Sequence, residues 1–167
     1  MYDFLSIVIN AFGILGIIMS IVSIYIIGRD LIITNIISNS FLIIFFVLLS
    51  TQIILQKKSQ LTEILQSMIS VFLTIIFLLF SLFLKISYQE RISKNNVYTG
   101  YRLISNASTF LLIIEMFVFY GATQTNEFKT THLIPNYYNL FLVILSLINI
   151  VLISVVGIML KYFYTDG

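Results

Sequence analysis

Glu115 stands alone as an acidic side chain within the apolar stretch TFLLIIEMFVFYGA. On insertion scales an acidic residue near a helix centre costs up to about 3 kcal/mol, and such residues are by default read as functional. The cost falls if the carboxyl takes up a proton. It also falls if the carboxyl pairs with a cation, for which Lys85, Arg102 or a basic residue of another subunit are candidates. A protonatable glutamate at membrane depth is what a proton relay needs, so Glu115 is the candidate catalytic residue. The competing reading is a buried carboxyl satisfied by a neighbouring hydroxyl or amide. Ser108 and Ala122 stand seven residues to either side, which puts Glu115 on the least bulky face of its helix.

Polar residues elsewhere follow helical spacing. Glu63, Ser67, Ser70, Thr74, Ser81 and Lys85 recur at steps of three, four or seven and share one face, while Phe72, Ile76, Leu79 and Phe83 lie off it. Asn35 and Asn39 are one turn apart with Ser38 beside them. Ser146, Asn149 and Gly157 suggest one buried face near the C-terminal end. Asn10, Gly13 and Gly16 have GxxG rather than GxxxG spacing and carry little weight. In hydrocarbon such stripes face protein, either as interhelical packing at about 0.6 kcal/mol per hydrogen bond or as one wall of a hydrated proton path. Both readings stay open from sequence.

Other chemistries lack residues. The chain has no Cys and one His, His132, in KTTHLIPNYYN. That removes a self-contained iron–sulfur site, a bis-His haem, a structural zinc site and a thiol nucleophile. No cofactor or metal is expected. No Gly-rich phosphate loop follows a strand, and a net charge of +2 is too small for a nucleic-acid partner. At most the chain is a non-redox subunit of a multisubunit translocase.

The elements that must position these residues are membrane helices. Of 167 residues 59% are hydrophobic and 10% charged, and the mean hydropathy is +1.05. A spanning helix needs roughly 20 apolar residues. Five stretches qualify, at about 4–27, 31–55, 64–85, 103–121 and 138–160. The expected fold is all-α, a polytopic bundle forming a single transmembrane domain over 1–167, with no soluble domain. Gly28-Arg29-Asp30 is so short that the first two spans form an antiparallel hairpin. Pro135 precedes the last span, where a helix start tolerates it. Tyr137 and Tyr138 read as an aromatic belt.

Arg29, Lys85, Arg91, Lys94, Arg102 and Lys161 fall on one side, and Lys57, Lys58 and Lys129 on the other. This favours the C-terminal side as the inside. Near the start the only charge is Asp3, which is unlike a secretory signal or a mitochondrial presequence; a retained first helix is expected. Ile occurs 32 times and Ala 3 times, the mark of an AT-rich gene. That fits an organelle-encoded subunit of the mitochondrial inner membrane, with a bacterial plasma membrane as the alternative.

On these residues the chain resembles a family. FGILGIIMSIVSIYIIGRDLIITNIISNSFLIIFFVLL is similar in pattern to the first two helices of subunit 6 of mitochondrial NADH:ubiquinone oxidoreductase (complex I). YYNLFLVILSLINIVLISVVGIML is similar to that subunit's last helix. FGILGII…GRDLIITNIISNSFLII also looks like the start of subunit 4L of the same complex. The third span, SMISVFLTIIFLLFSLFL, has no Gly where subunit 6 has a Gly-rich helix. The second span offers Asn39 where subunit 4L has a Glu, so no catalytic residue is carried over. The resemblance implies a hydrophobic membrane-arm subunit packed between larger subunits and lipids, with Glu115 contributing to a proton path. The alternative is a lineage-specific structural subunit of cytochrome c oxidase, ATP synthase or a respiratory supercomplex. A small bacterial transporter component ranks last, because no internal repeat or midspan Gly/Pro break is found.

Overall fold

A computed structural model describes residues 2–25, 29–55, 61–87, 95–131 and 133–162. Over these the chain is helical, with no strand: α1 Tyr2–Tyr25, α2 Arg29–Leu55, α3 Leu61–Ser87, α4 Asn95–Thr123, the short α5 Asn126–Thr131 and α6 Asn136–Tyr162. Five of the six contain stretches long and apolar enough to cross a membrane, namely Ile7–Tyr25, Ile33–Leu55, Leu61–Ser87, Arg102–Thr123 and Asn136–Met159. A helix satisfies its backbone polar groups internally, which hydrocarbon demands and which outweighs the weak helix preference of a chain this rich in Ile. This is the all-α membrane bundle expected from hydropathy, with α5 added in what reads as a loop. Thr125 caps α5 by accepting the Phe128 amide at 3.2 Å. Pro135 lies immediately before α6, at a helix start as expected.

The spanning helices close in the order α1, α2, α3, α6, α4, with a thinner seam between α4 and α1. One end of the bundle holds the end of α2, the start of α3, α5 and the start of α6. The opposite end holds the close of α3 and of α6 and the start of α4. At the first end, Ser67 accepts the Ile134 amide at 2.7 Å and the Asn139 side chain donates to the Gln66 carbonyl at 2.8 Å, which stitches the approach of α6 onto α3. Tyr137 is exposed there and stacks edge-on with Tyr138.

Helix α1 meets α2 through small residues. A Cβ on Gly16 would sit 2.5 Å from the Leu42 side chain, and one on Gly13 would sit 3.0 Å from the Phe45 ring. Ser20 donates to the Gly16 carbonyl at 2.8 Å and lies 2.6 Å from the Ser38 hydroxyl. The spacing Gly13, Gly16, Ser20, Ser23 is therefore a contact face, a stronger role than GxxG suggests on its own. The central apolar layer includes Leu42, Phe46, Leu78, Phe119 and Leu142. The rings of Phe46 and Phe119 meet edge-on at 5.0 Å. Phe72, Ile76, Leu79 and Phe83 all point outward, as the α3 spacing requires.

Candidate functional site

Helices α3, α4 and α6 each bring one polar stripe to their common axis. On α3 the buried set includes Ser67, Ser70, Thr74, Ser81 and Lys85. Glu63, at the start of the same stripe, is exposed; the first turn of α3 lies beyond the packed interior. On α4 the stripe is Ser105, Ser108 and Glu115, and on α6 it is Asn139, Ser146 and Asn149, all buried. Polar side chains converge because none of them can be left in lipid without a partner.

Glu115 is fully enclosed, with 0% exposure. Asn149 Nδ2 donates to its Oε1 at 2.9 Å. Thr74 Oγ1 and Ser146 Oγ lie 3.3 Å and 3.5 Å from its Oε2. The two hydroxyls are 2.9 Å apart, and Thr74 also reaches the Ser70 carbonyl at 2.8 Å. The partners of Glu115 are uncharged: the expected candidates Lys85 and Arg102 form no ion pair with it. Among the described residues the carboxyl is held by an amide and two hydroxyls.

Counting hydrogens shows what this arrangement can do. A hydroxyl donates once and accepts twice, a carboxylate only accepts, and a carboxylic acid also donates. With Glu115 ionised, Asn149 donates to Oε1 and a hydroxyl donates to Oε2. With Glu115 protonated, the acid O–H donates to Thr74 or Ser146. Those hydroxyls then turn toward each other or toward the Ser70 carbonyl. Both states keep every heavy atom in place, so one geometry accommodates both ends of a proton transfer.

The network extends toward one end of the bundle and stops at Ser70 toward the other. Toward the Lys85 end, Ser108 donates to Asn149 Oδ1 at 3.1 Å. Ser108 also borders a cavity of about 10 Å³ that Asn39, Ser81, Lys85 and Ser105 help to line. That is room for about one water. Asn39 donates to Ser81 at 3.0 Å, and Asn35 lies 3.5 Å from Ser105. The paired amides of α2 thus reach across to α3 and α4, as expected from their spacing. Toward the α5 end, Ser70 Oγ is buried without a hydrogen-bond partner among the described residues. Leaving a buried hydroxyl unpartnered costs about 1–3 kcal/mol.

The structure thus joins Glu115, Thr74, Ser146, Asn149 and Ser108 into one site. His132, Lys57, Lys58, Arg91 and Lys94 lie outside the described residues, and so does part of the charge pattern used for orientation. Sequence reading missed Ser105, which stands three residues before Ser108 on the Glu115 face. It also missed Ser20 and Ser23, which continue the small-residue face of Gly13 and Gly16. Among the described residues no three His, Cys, Asp or Glu side chains come together as a metal site. Comparison with protein-family models, with curated proteins and with solved structures gives no match.

Proposed function

We propose that this chain is a proton-handling subunit of a membrane complex, with Glu115 as the group that takes up and releases the proton. One observation carries the reading. The carboxyl sits near the middle of a span, wholly buried, among neutral partners whose hydroxyls reverse polarity without moving. A fixed structural carboxylate needs only donors, whereas a relay needs groups that serve both protonation states. Asn149 orients the carboxyl, and Thr74 and Ser146 offer the reversible contacts.

The complex we propose is respiratory, with the membrane arm of NADH:ubiquinone oxidoreductase in the mitochondrial inner membrane as the first candidate. Support for that assembly is the pattern of the opening hairpin and last span together with the Ile-rich, Ala-poor composition. A structural subunit of cytochrome c oxidase, ATP synthase or a supercomplex is the second reading. It is favoured by how fully the buried polar groups pair within the chain, the exceptions among the described residues being Ser70 Oγ and Asn139 Oδ1.

The test has two stages. Gentle extraction, native gel separation and mass spectrometry identify the complex that holds the chain; co-migration with NADH-dehydrogenase activity is expected. Proton pumping by that complex is then measured with Glu115→Gln. Normal assembly with reduced pumping supports the relay, and full pumping with normal assembly refutes it.

A further inference from the structure

The seam between α1 and α4 forms a second, open-sided cavity, of about 530 Å³, bounded also by α2 and α5. This lies within the roughly 300–1,000 Å³ of small-molecule sites. Its polarity is graded. The mouth, at the α5 end of the bundle, carries Thr123, Gln124 and Lys129, with Gln52 buried beside them. The hydroxyl-bearing Tyr120 stands one turn deeper on α4, and Asn10 reaches a similar level from α1. The floor is apolar, formed by Ile17, Phe45, Leu49 and Met116 around Gly13.

From Gln124 to Met116 is eight helical residues, about 12 Å. One leaflet of hydrocarbon is about 15 Å deep, half of the roughly 30 Å core. The lining ends at Ile17 on α1, Phe45 on α2 and Met116 on α4. A partner's spanning helix would need the full bilayer depth, so it does not suit a seam of half that length. A single acyl chain does. Lys129 is exposed at the mouth, on the same short helix as Glu127.

We infer that this seam is a binding site for one anionic phospholipid. An acyl chain lies between α1 and α4 against Gly13 and Phe45. The polar groups of Asn10 and Tyr120 meet the glycerol esters, and Lys129 meets the phosphate. The inference is independent of the proton-relay reading.

The chain contains no tryptophan, so single reporters are clean. Tyr120→Trp places one at the seam, and Phe72→Trp places one on the outward face of α3. Each variant is reconstituted in phosphatidylcholine vesicles containing a few per cent of acyl-brominated lipid, carrying either a phosphatidylglycerol or a phosphatidylcholine headgroup. One lysine at a membrane surface contributes about 1 kcal/mol toward anionic lipid, roughly fivefold in affinity. The Tyr120→Trp reporter is therefore expected to be quenched by brominated phosphatidylglycerol at about a fivefold lower fraction than by brominated phosphatidylcholine. The Phe72→Trp reporter should show no headgroup preference, and adding Lys129→Gln should erase the preference at the seam. Equal quenching of both reporters, or a preference that survives Lys129→Gln, overturns the assignment.

Discussion

Removing both ends of the Glu115–Asn149 hydrogen bond should cost less than the two separate removals combined. Glu115→Leu leaves Asn149 Nδ2 without its acceptor at 2.9 Å, while Thr74 and Ser146 retain each other at 2.9 Å. One stranded buried donor predicts a loss of about 1–3 kcal/mol. Asn149→Leu strips the carboxyl of that donor and also leaves the Ser108 hydroxyl without its acceptor at 3.1 Å. Two stranded groups predict roughly twice that loss. The double variant strands only Ser108. By the same count it avoids two stranded groups, so its cost should fall short of the sum by about 2–6 kcal/mol, and by no less than the roughly 0.6 kcal/mol that such cycles average between membrane helices. Glu115→Gln keeps an oxygen for Asn149 and gains an amide donor for the hydroxyls, so it should stay within about 1 kcal/mol of the parent. The assay is reversible unfolding of purified protein in mixed micelles by denaturing detergent, followed by loss of helical circular dichroism. Additivity within about 0.5 kcal/mol would refute the pairing. A Glu115→Gln loss as large as that of Glu115→Leu would show instead that the site depends on negative charge.

Two further outcomes follow from packing and charge. Gly16→Leu drives a side chain into Leu42 and should cost about 1–3 kcal/mol, whereas Gly157→Ala, whose Cβ would sit 3.5 Å from Leu84, should change thermal stability little; equal effects would remove the close α1–α2 approach. Lys85 is buried in the last turn of α3 with no ion pair to a described residue, so Lys85→Met should hold or raise the unfolding temperature in detergent, and a clear drop would reveal a partner worth keeping.

Much of the bundle is legible in the sequence because lipid imposes one simple rule. A helix must be apolar outward and must hide its polar groups against protein, so spacing alone separates Ser67, Ser70, Thr74 and Ser81 from Phe72, Ile76, Leu79 and Phe83. The same rule places Glu115 inside. Which neighbours complete its shell is not legible, because that depends on the order of helices around the ring. Span five comes to lie between spans three and four only once the chain has closed as α1, α2, α3, α6, α4. Spacing therefore marks Asn149 as buried without tying it to Glu115. Charge partnership misleads for a related reason. Lys85 and Arg102 are the nearest cations by type, yet in hydrocarbon a carboxyl is as readily met by neutral donors already held on adjacent helices. The contacts of α1 escape because Gly13 and Gly16 are three apart, and the face emerges only when Ser20 and Ser23 are counted as small residues.

The two internal features lie on adjacent faces of one helix. Glu115 turns toward α3 and α6, and its neighbour Met116 lines the seam toward α1 and approaches the position of a Gly13 Cβ within 3.8 Å. None of the described hydrogen bonds of Glu115 comes from α1. Occupancy of the seam can therefore reach the carboxyl only by displacing α4 itself. The Phe46–Phe119 contact and the Ser108–Asn149 bond resist that displacement from two other sides. A lipid in the seam would thus fix the wall on which Glu115 is mounted without entering its hydrogen-bond network.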